Sequence, residues 1–594
     1  MVKRFLITTA DQRFWKTDEP VLFLGEWCKL FSQRSVWEKL SCEVLPYHWD
    51  DRKKLYQDYL YLDKLYEQTL LQMRDFLNQI HGVDHSLRYW KIVIGPWLYY
   101  FIQILYDRYQ SILTAIESEK VTNTLICRYD EAKWLPRDFP CFLNWFVNDD
   151  YNHYIYSRII EFVGKLPFEV VEVGGWDEND NKKQPKSIKN PFALKKILKK
   201  LIGLYKKIVP DCFNRIVLIS SYLNTFDLIK LQLSLKQIPY LFPPDVEVPE
   251  TGIDLDARER LFFRSSKNEF EKLLAKMIKE QIPLIYVEGY FEMNKRSLKA
   301  YPKKPKVILT GNAWWVNEIF KFWTAHHFDL GVKFLGTQYG GHYGTGLWSC
   351  FENHEIQIYD RYYTWGWKSD IYKNTKPLAA AKLNKAKRVI QPKKNGRILL
   401  VLMSQPRYFY HMYSAPTAAS GTLSYIDDQY RFVRALSKEN QKLLLVRLYM
   451  HDYGWNQMKR WNSEFPGIEC CLNNKSMLDQ LEESRLVVCT YNATTYLETF
   501  VANFPTVMFW NPEHWELRSS AQPYFEELRK VGILHDTPES AAAKVNEISY
   551  NPTSWWQQTE IQAAKDEFCF QFARTSNSWL KEWKSELLKV SNGS

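Results

Sequence analysis

Short runs that are apolar at nearly every position recur along the chain, separated by longer stretches in which apolar residues return every three or four positions. The runs RFLITT (4–9), PVLFLG (20–25), CEVLPY (42–47), TLICR (124–128), FEVVEV (168–173), RIVLIS (215–220), PLIYVEG (283–289), KVILTG (306–311) and KFLGTQ (333–338) predict strands. After a gap come RILLVLMS (397–404), KLLLVRLY (442–449), RLVVCTY (485–491) and PTVMFW (505–510). Strands apolar on both faces, with helices between them, indicate parallel doubly wound sheets, so the predicted class is α/β. The gap at 369–396 is basic, contains proline and lacks apolar periodicity. It reads as a linker between an N-terminal α/β domain (1–368) and a C-terminal Rossmann-like domain (397–594), the latter closed by a helical stretch at its end. Two Rossmann-like domains then face each other across a cleft.

Length supports this division, because 594 residues exceed what one ordinary core organises. With 46% hydrophobic and 25% charged residues and a mean hydropathy of −0.40, the chain is globular rather than disordered. The net charge of +11 favours anionic partners. Ten cysteines without a CxxC spacing read as reduced, mostly apolar residues. The N-terminal MVKRFLITTADQRFW carries no cleavable signal pattern. The most apolar segment, IVIGPWLYYFIQILY (92–106), is shorter than the ~20 residues of a membrane span and contains Gln103, so a buried core helix is expected. A cytoplasmic location follows, with peripheral attachment to the inner membrane left open. Basic residues concentrate in the linker without interleaved aromatics, which argues against nucleic acid.

Ligands of parallel sheets sit beyond the carboxyl ends of the strands, so the loops there carry the candidate chemistry. After RLVVCTY, Asn492, Thr494 and Thr495 suit the start of a helix whose amides would hold a phosphate, and Glu498, on the same face as Thr494, would accept ribose hydroxyls. The alternative is a capped helix with a solvated glutamate. After RILLVLMS, Ser404, Arg407 and His411 would meet phosphate from the other side, unless this is an ordinary basic loop. Glu288, before Gly289 at a predicted strand end, suits a general base or nucleophile as well as a salt-bridged structural role. In the glycine-rich loop of KFLGTQYGGHYGTG, Gln338, Gly340 and Gly341 suggest a close backbone approach to a ligand, with His342 as acid, base or phosphate donor. The segment is neither a P-loop nor a dinucleotide turn. His354 and Glu355 follow in a stretch where a packed histidine is the simpler reading. DLD (254–256) reads as a helix N-cap and HH (326–327) as a surface pair, so no metal and no resident cofactor are expected, only a sugar nucleotide as co-substrate.

The motifs ITTADQRFW, FLGEWCKL, LPYHWDDRKKLYQDYLYL, SLRYWKIVIGPWLYYFIQILYDRY, GTQYGGHYG, RYYTWGW and NATTYLETF together resemble the leptospiral-type transferase family of bacterial surface-carbohydrate gene clusters, over nearly the whole chain. The segment from Glu288 to Trp367 is more weakly similar to transferases that use CMP-activated acidic sugars, including capsule Kdo transferases. A carboxylate-glycine pair like Glu288-Gly289 serves as base in some sialyltransferase families, although their His-Pro motif has no counterpart here. These resemblances imply a glycosyltransferase B-type (GT-B) fold and metal-independent transfer from a nucleotide-sugar donor onto a glycan or lipid-linked glycan acceptor of lipopolysaccharide, O-antigen or capsule. Transfer of glycerol phosphate, or a non-catalytic carbohydrate-binding or assembly role, remain as alternatives.

Overall fold

The computed structural model describes residues 2–172, 214–240 and 246–593, apart from positions 262, 264, 265, 267, 388, 389 and 473. Cys212 lies outside the described residues. The strands form three sheets, and every pairing within them is parallel. The first contains β1 (Arg4–Ile7), β2 (Val21–Phe23), β3 (Cys42–Val44), β4 (Val121–Cys127) and β5 (Phe168–Val171), in the order β3-β2-β1-β4-β5. The second contains β6 (Ile216–Ile219), β7 (Val307–Thr310), β8 (Lys333–Thr337), β9 (Arg361–Thr364) and β10 (Thr375–Pro377), in the order β10-β9-β8-β7-β6. The third contains β11 (Arg397–Val401), β12 (Leu444–Leu448), β13 (Glu469–Leu472), β14 (Ser484–Cys489), β15 (Thr506–Phe509) and β16 (Leu534–His535), in the order β13-β12-β11-β14-β15-β16.

The class is therefore α/β and Rossmann-like, with one sheet more than two domains require. The first and third sheets start in the middle, run one way and then reverse, between β1 and β4 and between β11 and β14. A reversal of this kind opens a crevice at the carboxyl ends of the strands. The second sheet winds in one direction only.

Two further differences from the sequence reading have physical causes. PLIYVEG is not a strand: Pro283 leads into a 3-10 turn (Leu284–Tyr286), then a helix (Tyr290–Ala300). Its run is apolar because Ile285 and Tyr286 are fully buried, while Leu284 N and Ile285 N donate to Pro136 O and Arg137 O. The expected linker is also partly built into the fold, since Thr375–Pro377 is the edge strand beside β9, and Ala380, Leu383 and Ala386 are buried.

Alternation along the second sheet divides its side chains between two cores. Val217, Ile219, Ile308 and Phe334 join the main core, whereas Leu218, Val307, Leu309 and Leu335 face a separate cluster. Trp583 and Leu587 of the helix Trp579–Ser591 cover that cluster together with Leu231 of the helix Thr225–Ser234. The sequence assigns this terminal helix to the C-terminal domain; it packs instead on the second sheet, whose apolar face Trp583 and Leu587 cover. The apolar segment at 92–106 is likewise a core element: within the helix Gly95–Glu117 the residues from Gly95 to Tyr109 are all buried. No helix among the described residues is long and apolar enough to cross a membrane.

Two motifs of the first unit hold it to the third. In HWDDRKK, Asp50 accepts from Ser420 Oγ (2.6 Å) and Thr417 Oγ1 (3.2 Å). Asp51 caps the helix Arg52–His81 through Lys53 N and Lys54 N. Arg52 makes a two-point pair with Glu516 (2.6 and 2.7 Å) and donates to Ala415 O (3.0 Å). His48 sits against Asp107 at 3.2 Å. In GEWC, the Trp27 indole donates to Thr8 O (3.0 Å) and Cys28 Sγ to Ile7 O, while Trp27 O accepts from Arg407. A Cβ on Gly25 would collide with the Trp27 ring, so glycine is what lets that ring fold back over the strand end. Glu26 pairs with Lys29 at 3.3 Å.

Candidate functional site

The third sheet presents its crevice where the chain leaves β11 and β14. A cavity of about 500 Å³ lies there, bounded by Leu402 after β11, Arg447 and Leu448 at the end of β12, Lys475 after β13, Tyr491 after β14, and Lys385. Thr495 and Glu498 line it from the helix Thr494–Val501, on the one-turn spacing that puts both on the same face. Glu498 is half-buried and no donor among the described residues bonds its carboxylate. Burial pushes its pKa up, and Lys382, Lys385 and Arg447 partly offset that rise. The helix has Ala493 as its N-cap, and no side chain caps it, although Gly341 packs on its first amide. Arg447 is positioned by Lys475 O (2.9 Å) and Gln480.

The loop after β8 closes over this helix start. Gly341 N donates to Thr494 Oγ1 (3.1 Å), and Asn492 Nδ2 donates to Thr345 Oγ1 (3.2 Å) while its Oδ1 accepts from Tyr496 OH (2.9 Å). A Cβ on Gly341 would stand 2.7 Å from Thr494 N and closer still to Ala493 O. The close approach foreseen for Gly341 is thus to a helix of the third sheet and not to a ligand. Gln338 is fully committed as well: its Oε1 accepts from Trp365 N (3.0 Å) and Trp367 Nε1 (2.8 Å), and its Nε2 donates to Gly340 O (2.8 Å). It fixes the loop against the TWGW turn, where Gly366 takes φ +135° against the backbone of Phe570 and Gln571. Gly340 lies over the Tyr343 ring.

Of the predicted residues at this junction, His342 is the ionisable one, while Arg518 and Glu352 nearby pair with each other. Its ring stacks on Tyr343 at 4.4 Å and near Tyr413, with neither ring nitrogen bonded among the described residues. Burial, reinforced by Arg518, brings its pKa down to about 4, so it is neutral at pH 7.

Other predicted residues lie elsewhere. Glu288 pairs with Arg258 through both oxygens (2.7 and 2.9 Å) and accepts from Asp254 N (3.1 Å). Its strand-end position disappears with the strand, and none of these partners belongs to the junction. Glu288→Gln is expected to cost about 1–3 kcal/mol in a denaturation midpoint and to leave nucleotide-induced stabilisation unchanged. A variant as stable as the parent, yet without nucleotide response, would return Glu288 to the site.

Arg407 does not reach the cavity either. It binds Trp27 O and Asp149 (2.7 Å), joining the first unit to the third. Ser404 Oγ donates weakly to Asp452 O at 3.4 Å. His411 is buried between Phe351 and Tyr413, with Nδ1 unpaired and its pKa driven well down by burial. His354 meets Tyr66 OH at 3.1 Å, and Glu355 is fully buried with Tyr343 OH on its carboxyl. Asp254 caps its helix through Ala257 N (2.9 Å), as its sequence indicated. His327 is buried against Trp323 rather than on the surface. Among the described residues no three His, Cys, Asp or Glu side chains are grouped to hold a metal ion.

The basic wall of the cavity was not among the predicted residues. Its signal was Arg447, a charge inside the otherwise apolar run LLLVRLY.

No curated protein matches the chain. Among solved structures, MurG of Acinetobacter baumannii is 11% identical, with 51% of this chain and 80% of that one covered and a TM-score of 0.29. The spinosyn rhamnosyltransferase SpnG, complexed with spinosyn aglycone, is 11% identical over 51% and 79%, with a TM-score of 0.27. WaaG, a glycosyltransferase involved in lipopolysaccharide biosynthesis, is 9% identical over 50% and 94%, with a TM-score of 0.25. Likenesses this slight add nothing to the strand order. A family model spans residues 4–587, and by it the chain belongs to the LIC12162 family of transferases.

Proposed function

We propose that the protein is a glycosyltransferase that binds a nucleotide-activated sugar in the cavity at the β11/β14 reversal and transfers the sugar at the junction with the β8 loop. The observation that carries this reading is Glu498, a half-buried carboxylate without a hydrogen bond, facing a cavity ringed by Lys385, Arg447 and Lys475. A carboxylate so placed accepts two ribose hydroxyls, while the cations and the remaining uncapped amides of Thr494–Val501 suit phosphate. His342, neutral and unpaired beside that helix start, is suited to take the acceptor's proton. An anionic phosphate next to it would raise its basicity from the low value set by burial. The CMP-linked acidic donor drew its support from the segment Glu288 to Trp367, and the ion pair of Glu288 with Arg258 weakens its carboxylate-glycine part.

The test is a thermal-shift panel of CMP, CDP, UDP, GDP and dTDP. One nucleotide is expected to raise the melting temperature of the parent, and Glu498→Gln to weaken its binding by about tenfold. The phosphate-linked alternatives are separated by product identity. If no nucleotide shifts the melting curve, the reading is lost.

A further inference from the structure

The reversal in the first sheet also opens a cavity, of about 690 Å³, which the transferase reading does not use. The chain leaving β1 lines it, together with the start of the helix Asp149–Val163 and Arg407 and Gly454 of the third unit. Its charged groups are already matched in its walls. Arg13 pairs with Asp11 and Asp150, and Asp149 accepts from Ala10 N (3.0 Å), Arg407 (2.7 Å) and Tyr408.

What remains free is neutral or inward-facing. The side-chain amides of Gln12, Gln33 and Asn148 have no hydrogen bond among the described residues, and Gln33 Oε1 is buried in that state. Arg407 is only 7% exposed, yet its Nε has no partner. Gly454, at φ +87°, packs directly on that buried guanidinium edge, since a Cβ there would lie 2.6 Å from Nε. Beside it Tyr453 stands on the cavity wall with its own backbone at φ +53°.

Three carboxylates against two guanidiniums disfavour a phosphate or nucleotide here. Unpaired amides, each both donor and acceptor, next to an aromatic ring suit a ligand dense in hydroxyls and without charge. We propose that this cavity binds a neutral glycosyl residue, its ring against Tyr453 and its hydroxyls on Gln12, Gln33 and Asn148. If the transferase reading holds, and this step rests on it, that residue belongs to the acceptor glycan.

The experiment is saturation-transfer NMR on the full chain with methyl glycosides of glucose, galactose, mannose and rhamnose, with inorganic phosphate and UDP as competitors. At least one glycoside is expected to bind, to resist both competitors, and to lose about tenfold in affinity in Asn148→Leu and in the exposed Gln12→Ala. Those variants keep their nucleotide response. No binding by any glycoside, equal binding by both variants, or displacement by phosphate each overturns the proposal. Variant-sensitive glycoside binding without any nucleotide response would uphold this cavity and remove the transferase reading.

Discussion

Arg108→Ala is expected to lower stability by about 3–5 kcal/mol, a large part of the 5–15 kcal/mol typical of a folded domain. Arg108 has no exposed surface. It donates to Asn152 Oδ1 (2.9 Å), to Phe409 O (2.9 Å) and to the adjacent Asp107, and so joins the central helix Gly95–Glu117 to the first long loop of the third unit. Removing it strands a carboxylate that is 1% exposed, with Tyr47 and His48 as its remaining side-chain partners among the described residues. In the parent, burial pushes the Asp107 pKa up, but Arg108, His48 and Tyr47 more than reverse this and hold it below the usual value. A carboxyl held low contributes stability above its unfolded pKa and loses it as pH falls through the folded one. Without Arg108 only His48 and Tyr47 oppose burial, the Asp107 pKa rises, and the deficit of the variant should shrink as pH falls toward ~4. Urea midpoints across pH measure both effects. A midpoint equal to the parent at neutral pH would show that the guanidinium is dispensable.

Gly341→Ala is the second change with a large expected effect, although it adds a single methyl group. The obstacle is backbone, the peptide group between Ala493 and Thr494, so no side chain can swing aside. The contact must open, at about 1–3 kcal/mol, and the hydrogen bond from Gly341 N to Thr494 goes with it. The nucleotide response should fall along with stability, because the helix start that would hold phosphate is displaced. Gly340→Ala is the matched control: its nearest neighbour is the Tyr343 ring at 3.2 Å, which can yield by a few tenths of an ångström. Equal melting curves for the two variants would contradict this account of the junction.

Most of the strands that could be read from sequence are buried on both faces, although β3 and β5 are not. After their first residue RILLV and RLVVC are apolar because helices cover both sides of their sheet, and the end of RLVVC leads directly to Thr495 and Glu498. β9 was missed because RYYT carries polar atoms satisfied inside the fold, such as Tyr363 OH on Glu586 (3.1 Å). PLIYVEG failed in the opposite sense, since a turn packed among helices is as apolar as a strand, and Glu288 was misplaced with it. Arg407 shows another limit. Its charge and loop were visible, but Asp149 and Trp27 O are distant in sequence, and only the folded chain shows that it is already bound. The crevice of the first sheet obeys the same rule about strand ends, at the residues after RFLI.

The helix Trp579–Ser591 that completes the second sheet is made long after the strands it covers. While the third unit is being synthesised, Leu218, Val307, Leu309 and Leu335 have no Trp583 or Leu587 to cover them. The nascent chain thus carries an adhesive sheet face while the third unit is made, and the second unit matures only after it. Chains shortened before Trp579 should then collect in the insoluble fraction even though every strand is present.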